Sequence, residues 1–441
     1  MVSMAPSSPP QLSLTDLKAL SVLGRGARGV VFHVVPAAAA AAAPDEGAGG
    51  CPPDVDPMAL KAMSRAAARH KGAAATGGPA GGGGDGHRRI WFERDVLLAL
   101  RHPLLPSLRG VVATDNVVGF AIDRCAGGDL NALRRCQTGR VFSVPAIRFY
   151  AAELVLALDH LHGLGIVYRD LKPENVLIQD SGHIMLVDFD LSTTLPPPPP
   201  PPPPDTTPPQ SSSPSPSSHT RKRNNQRAVD VFGCFNSRRA TSQESESSSQ
   251  SPPSTSRTAS SSSSSLCCSS GGRTPAKSNS FVGTEDYVAP EIVAGSGHDY
   301  AVDWWGLGVV LYEMLYGRTP FRGRSRRETF HRVLAARPEM PGEPTPLRDL
   351  IARLLEKDPG KRLGAHGVRR HAFFRGVDWD RVLDVARPPF IPTPDDDAGD
   401  STEALDVEKV LHEVFRSSAA VETAPETGSE RGREEDFSVF F

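Results

Sequence analysis

The chain has 441 residues, with 49 Lys plus Arg against 51 Asp plus Glu, so no global positive field directs it to nucleic acid or to an anionic membrane. An apolar share of 39% can build a folded core, but 40 Gly, 41 Pro and long Ser runs mark stretches with too little apolar surface to fold. The longest uninterrupted apolar run, the alanines at 37–43, is far short of the ~20 residues that span a bilayer, and the first residues lack a leader pattern, so a soluble intracellular protein is expected.

Five stretches read as linker by composition: 1–11, 36–56, 66–86, 195–278 and 394–404. The fourth opens on nine prolines at 196–204, which favour a stiff extended chain, and continues into serine. Between the linkers, VLGRGARGVVFHVV at 22–35 reads as two β-branched strands around a glycine turn, and MALKAM at 58–63 as a further strand. Ile90, Val96, Leu97 and Leu100 recur at helical spacing. Ile147, Tyr150, Leu154, Leu158 and Leu161 mark one face of a long helix that stops at Gly163 or Gly165. Residues 302–316 are apolar nearly all round, which predicts a helix buried inside a lobe. Strands come first and helices follow, the pattern of a small β-rich lobe joined to a larger helical one. Cys51, Cys125, Cys136, Cys234, Cys267 and Cys268 form no C-x-x-C pair and have no His at zinc spacing, so free thiols, buried or in the linkers, are expected.

Three signals carry chemistry. Gly24-Arg25-Gly26-Ala27-Arg28-Gly29 is followed two residues later by Val31. A plain turn explains such spacing, and a dinucleotide site shares it, but a dinucleotide site needs a helix after the last glycine, whereas VVFHVV is β-branched. A glycine hairpin between strands instead brings backbone N–H groups over a triphosphate. Lys61 ends the apolar run Ala59-Leu60, and Glu93 lies on the next helix; a lysine held by a carboxylate can place its charge on phosphates, although lysines ordinarily sit in solvent. The third signal is the most specific: Tyr168-Arg169-Asp170-Leu171-Lys172-Pro173-Glu174-Asn175, then Asp188-Phe189-Asp190, then Ala289-Pro290-Glu291 and Asp303-x-Trp305-Gly306.

This ordered set resembles the eukaryotic protein kinases, whose catalytic loop is H-R-D-x-x-x-x-N and whose metal-binding motif is D-F-G. The resemblance implies an α+β, bilobal kinase fold. The expected divisions are a disordered N-terminus at 1–16, a small lobe at 17–123 carrying inserts at 36–56 and 66–86, and a large lobe at 124–374 carrying a disordered insert at 195–278. A C-terminal tail at 375–441 closes the chain. It also implies ATP and Mg2+ as cofactors. Asp170 would orient or accept the substrate hydroxyl proton, Lys172 would sit near the γ-phosphate, and Asn175 and Asp188 would hold the metal ions. Leu23, Gly24, Gly26, Gly29, Val31, Ala59, Lys61, Glu93, Asp123 and Cys125 would border the ATP site, with Ile122 as gatekeeper. Glu291 looks like the partner of Arg362, and Asp303 like a brace of the catalytic loop.

Several features are similar to the AGC group: Tyr168 in place of the loop histidine, Ser278-Asn279-Ser280-Phe281-Val282-Gly283-Thr284, Ala386-Arg387-Pro388-Pro389-Phe390-Ile391-Pro392, and Phe437-Ser438-Val439-Phe440-Phe441. Asp190 in the glycine position and the long insert together resemble the plant AGC group VIII kinases, and the glycine loop and closing Phe-Phe look most like the UNICORN-type subgroup. The resemblance implies that phosphate on Ser280 pairs with Arg169 and that Phe437 and Phe440 dock on an upstream phosphoinositide-dependent kinase or on the chain's own small lobe. Asp129, Glu174 and Glu313 match acids that face substrate arginines, which implies a basophilic Ser/Thr kinase with protein substrates; solvated acids with no such role are the alternative. Asp190 raises a rival, an ATP-binding pseudokinase scaffold, because aspartate only tolerates the positive φ that glycine permits.

The basic, aromatic-interleaved run at 221–239 suits nuclear import or adsorption to an anionic leaflet, or is merely solvated linker. An interaction module recruited through this insert is therefore a second rival. A monomer in cytoplasm and nucleus is expected, with peripheral plasma-membrane contact left open, a role in plant growth signalling and no specific nucleic acid.

Overall fold

The computed structural model describes residues 10–26, 29–37, 57–65, 85–196, 277–384, 388–392 and 404–421. The small lobe is a six-stranded sheet built from β1 (Gln11–Leu12), β2 (Leu17–Arg25), β3 (Gly29–Pro36), β4 (Met58–Ser64), β5 (Leu108–Ala113) and β6 (Val117–Asp123), in the order β1-β5-β6-β4-β3-β2. All neighbours are antiparallel except β1, which runs parallel to β5. Side chains alternate across the sheet. Val31, Ala59, Met63, Phe120 and Ile122 face inward and pack with Ile90, Val96 and Leu97 of α1 (Asp85–Ala99). Val30, Phe32, Val34, Leu60, Ala62 and Ala121 face outward and are also buried, because Val407 and Leu411 of a C-terminal helix, Val407–Val421, cover them. Burial on both faces is why these strands read as nearly continuous apolar runs.

In the large lobe, α2 (Leu130–Arg135) and α3 (Val144–Gly163) precede the short strands β7 (Ile166–Val167), β8 (Val176–Ile178), β9 (Ile184–Leu186) and β10 (Thr193–Thr194). Beyond the insert come α4 (Pro290–Val293), α5 (Ala301–Tyr316), α6 (Arg326–Ala335), α7 (Pro346–Leu354) and α8 (Ala365–Arg369), and the C-terminal helix is α9. Ser143 caps α3, and the chain leaves it through Gly165 at φ 78°, a left-handed value that glycine adopts without strain. Every residue of α5 from 302 to 314 is buried, as its all-round apolar sequence predicts. Arg362 and Glu291 form a bidentate pair at 2.6 and 2.9 Å, with side chains 0% and 3% exposed, tying the segment before α8 to α4.

Several boundaries differ from the sequence expectations. Residues 10–16 are not disordered: Gln11 and Leu12 pair with Val111 and Val112, Leu12 packs over Gly110, and Ser13 caps a 3-10 turn with Asp16 in a reciprocal capping box. The second insert ends earlier, since α1 already starts at Asp85. Both described ends of the long insert are tied down. The Leu195 and Pro196 carbonyls accept the Tyr300 hydroxyl at 2.9 and 3.0 Å, and Ser278 pairs through its backbone with His298. Cys125 is half-buried, but Cys136 is exposed, not buried. Arg28, the basic run at 221–239, Cys51, Cys234, Cys267, Cys268 and the terminal Phe437 and Phe440 lie outside the described residues. Among the described residues no helix is long and apolar enough to cross a membrane.

Candidate active site

The glycine hairpin joins β2 to β3, with Gly24 opposite Val31 and the Gly26 N–H donating to the Gly29 carbonyl at 2.8 Å. A side chain at Gly29 would meet the Ala62 carbonyl at 2.4 Å, so β3 approaches β4 this closely only with glycine there. Beneath the hairpin lies a cleft of 260 Å³ lined by Leu23, Ala59, Ile122, Asp123, Arg124, Cys125, Ala126, Gly128, Asp129 and Leu177. Leu23, Ala59 and Leu177 make apolar walls. The Asp123 carboxylate is already engaged, by the Ser107 N–H at 2.8 Å and by Arg109 at 2.6 Å. Burial pushes the Cys125 thiol up to about 12, so it lines the cleft as a neutral, weakly polar group.

Lys61 sits on β4 opposite Val31 and Phe120, and Nζ donates to Glu93 Oε1 at 2.6 Å and to Asp188 Oδ1 at 2.8 Å. Burial works against the ammonium charge, but Asp188, Glu93 and Asp190 outweigh it and hold the Lys61 pKa above its ordinary value. Burial likewise opposes the Asp188 charge, and Lys61 and Lys172 overcome it, so Asp188 stays below the usual carboxylate range.

The catalytic loop is fixed from beneath. Asp303 accepts from the Tyr168 N–H at 2.9 Å, the Arg169 N–H at 2.7 Å and His162 at 2.8 Å, and Tyr168 donates its hydroxyl to the Val187 carbonyl at 2.5 Å. Arg169 and Asp188 adopt φ of 71° and 60°, left-handed values costing on the order of 1–3 kcal/mol each, held by this network. Asp190 does not have positive φ, so aspartate occupies the usual glycine position without the strain expected from the sequence. Asp170, 6% exposed, has four donors: the Thr284 N–H at 3.1 Å and hydroxyl at 2.7 Å on one oxygen, Asn175 Nδ2 at 3.1 Å and Lys172 at 3.0 Å on the other. Asn175 also donates to the Asp170 carbonyl at 3.0 Å, so its amide hydrogens are engaged and its oxygen is the donor left for a cation. Asp188 has one oxygen on Lys61, and its side chain is 38% exposed. One amide and one carboxylate oxygen suit a hard divalent ion that keeps most of its shell elsewhere.

The three acids expected to meet a substrate differ in how far they are engaged. Asp129 caps α2 through the Ala132 N–H at 2.8 Å. Glu174 takes Asn131 Nδ2 at 2.9 Å with one oxygen, and its other oxygen is buried with no hydrogen-bond partner. Glu313 is not an open acid: it is buried, paired with Arg134 at 2.9 Å and hydrogen-bonded by the Tyr287 hydroxyl. Burial raises all three carboxyls, and at Glu174 the nearby Glu313 and Asp129 add to it.

Ser280 accepts from Arg169 Nη1 at 2.6 Å, beside Ser278 at 3.1 Å and His298 at 3.2 Å. The same guanidinium holds the Leu191 and Ser192 carbonyls, while Arg89 of α1 donates to the Ser192 carbonyl at 3.0 Å and the Asp190 carbonyl at 3.3 Å. Burial and the neighbouring Arg89 lower Arg169 to about 10, as two cations crowded beside the Ser280 hydroxyl should. Sequence reasoning missed Arg89 and Thr284. Arg89 precedes Glu93 by one helical turn, a usable signal, whereas nothing local ties Thr284 to Asp170.

The protein kinase domain family matches residues 54–234 and 266–374. Serine/threonine-protein kinase OXI1 of Arabidopsis thaliana is 49% identical over 407 residues, covering 92% of this chain and 86% of that one. Serine/threonine-protein kinases UCNL and UCN of the same plant are each 40% identical, covering 89% and 91% of this chain and 88% of each relative.

Proposed function

Because this chain belongs to the protein kinase family, and within it to the plant AGC group VIII serine/threonine kinases, we propose that it transfers the γ-phosphate of ATP with Mg2+ to Ser or Thr flanked by basic residues, under control of Ser280 phosphorylation. The observation that carries this reading is Lys61 bound to both Glu93 and Asp188 in front of an Asp170 whose oxygens are aimed by Thr284, Asn175 and Lys172.

Phosphoryl transfer requires mainly positioning and charge neutralisation from the protein. Lys61, anchored at both carboxylates, presents a fixed positive charge to phosphate oxygens. Asp170, kept in one orientation, draws the acceptor hydroxyl into line. Lys172 lies between Asp170 and Thr284 and balances charge on the transferring group. The Asn175 oxygen and Asp188 would hold Mg2+, which would supply further neutralisation of the phosphate charge.

The basophilic preference is supported by Glu174, whose buried, unpartnered oxygen would gain a guanidinium partner, more than by Glu313, which already has one. Activation through Ser280 is supported by Arg169 and Arg89, which converge on the same carbonyl beside the serine hydroxyl. Docking of Phe437 and Phe440 on an upstream phosphoinositide-dependent kinase, action as a monomer in plant growth signalling, and a cytoplasmic and nuclear location with peripheral membrane contact through 221–239 extend the same proposal.

The test is transfer from labelled ATP to an Arg-flanked Ser peptide, its Arg-to-Ala version and its Tyr version, before and after phosphorylation at Ser280, with Ser280→Ala alongside. The proposal expects Ser transfer that depends on Arg and rises on Ser280 phosphorylation. Equal transfer to the Arg-to-Ala peptide would remove the basophilic part, and an unimpaired Ser280→Ala protein would remove the switch.

A further inference from the structure

Residues 318–337 hold seven arginines and one acid, Glu328, in a chain whose net charge is -2. The segment leads into α6 and spans the whole of that helix. Glu328 is committed to Arg332 at 2.6 Å and to the Arg324 N–H at 2.8 Å. Arg322 reaches Asp286 only at 3.9 Å with its side chain 78% exposed, and Arg326 and Arg327, both exposed, form no ion pair among the described residues. The Arg326 guanidinium lies over the rings of Phe281 and Phe330, 5.8 and 5.1 Å from their centroids, and the two rings meet edge to face at 5.8 Å. Phe281 is nonetheless 52% exposed.

This patch adjoins the acceptor site. Thr284 holds Asp170 at 2.7 Å, Asp286 follows two residues later, and Arg322 and Thr319 both contact Asp286. The acids that would meet substrate arginines come from other elements, Asp129 from the cap of α2 and Glu174 from the catalytic loop. The acceptor position thus has carboxylates on one set of elements and exposed guanidinium groups, those of Arg326 and Arg327 with no ion pair among the described residues, around an exposed aromatic ring on another.

We propose that Arg322, Arg324, Arg326 and Arg327 bind acidic or phosphorylated residues of the protein substrate, so that the preferred acceptor segment is bipolar, basic on one flank and acidic on the other, with an apolar residue against Phe281. The inference rests on the kinase reading above and names the substrate class of the same site. A peptide flank fits better than a lipid surface because the arginines are continuous with the segment that orients Asp170 and because the neutral-to-acidic chain supplies no long-range pull to an anionic bilayer. Exposed pairs are individually weak and screened by salt, so three or four together set a preference of about tenfold in KM that fades as ionic strength rises.

The experiment uses the full chain and peptides sharing one Arg-flanked Ser acceptor, whose other flank is Glu, Ala or Lys, with the order of flanks also reversed. Direct affinity from fluorescence anisotropy is measured beside kcat and KM. The proposal expects the Glu flank, in one of the two orders, to bind about tenfold more tightly than Ala and the Lys flank more weakly still. The double variant Arg326→Glu/Arg327→Glu, verified as folded by its Tm, should invert that ranking to favour Lys. Equal affinity for the three flanks, or a variant that keeps the wild-type ranking, would overturn the proposal. So would a variant that loses only its binding to phosphatidylserine vesicles. Wild type that binds the peptides in the predicted order without transferring phosphate would sink the kinase reading while leaving the charge recognition standing.

Discussion

Replacing Leu411 by Ala tests whether α9 is an integral cover of the small lobe. Leu411 is 2% exposed and, with Val407, fills the outer face of the sheet over Val34, Leu60 and Ala62. The substitution removes three carbons at about 0.8 kcal/mol each and leaves part of a cavity, a loss of about 3 kcal/mol. Besides these two side chains, the partly buried Val410, Val414 and Phe415 pack against the same cluster, and α9 and its lead-in are held by the Leu405 N–H to the Ala19 carbonyl at 2.9 Å and by Glu408 to the Thr114 hydroxyl at 2.8 Å. A short helix held this way docks with only a few kcal/mol, so a loss of about 3 releases α9 while the hydrogen-bonded sheet remains. Hydrogen exchange read by mass spectrometry should show protection of residues 407–421 falling by about 10²-fold, with α5 unchanged. Undiminished protection of α9, or equal loss across β3, β4 and α9, would refute the idea that this helix is a separately releasable cover.

Arg362→Ala should cost about 3–5 kcal/mol by chemical denaturation, because it strands the buried Glu291 carboxylate; adding Glu291→Gln should recover part of that loss. Thr284→Ala removes the hydroxyl that aims Asp170, and kcat should fall by about 10- to 100-fold with ATP affinity within about twofold, read from kinetics and nucleotide titration. The Glu174 and Asp129 carboxyls are raised by burial, so protons compete for them at higher pH than for ordinary carboxylates. Their charge, and with it affinity for an Arg-flanked peptide, is full at high pH and lost as pH falls through these raised values. KM for that peptide should therefore climb, as pH falls toward these raised values, more steeply than for its Ala counterpart.

The residues closest to the chemistry were the most legible. Lys61, Asp170, Asn175 and Asp188 stand at spacings that the kinase resemblance reads directly, and the structure joins Lys61 to Glu93 and Asp188, and Asn175 to Asp170 and to the Val187 N–H beside Asp188. Strand β3 was legible as a β-branched run and β4 as a short apolar one, but the reason they are apolar on both faces was not, since it lies in α9, hundreds of residues away. Val407, Val410, Leu411, Val414 and Phe415 do repeat at helical spacing, yet the pattern alone marks no more than a tail because the surface that receives it is tertiary. Leu12 likewise gains its place only from β5. Thr284 acts through a contact that no local pattern encodes, Arg89 is signalled only by its place one turn before Glu93, and whether Glu313 is open or paired depends on Arg134 and Tyr287 folding onto it. Asp190 departed from the family pattern where the backbone does not require glycine, so the departure signalled less than the motif alone implied.

In the proposed function Asp170 serves an active phosphotransferase. The most direct test is single-turnover transfer from labelled ATP with Mg2+ to an Arg-flanked Ser peptide, comparing the Ser280-phosphorylated wild type with Asp170→Asn at matched nucleotide occupancy. Transfer by the wild type that falls by about 10²–10⁴-fold in the variant, with ATP binding preserved, is the predicted result. Nucleotide binding without transfer by the phosphorylated wild type, or transfer that survives Asp170→Asn undiminished, would contradict it.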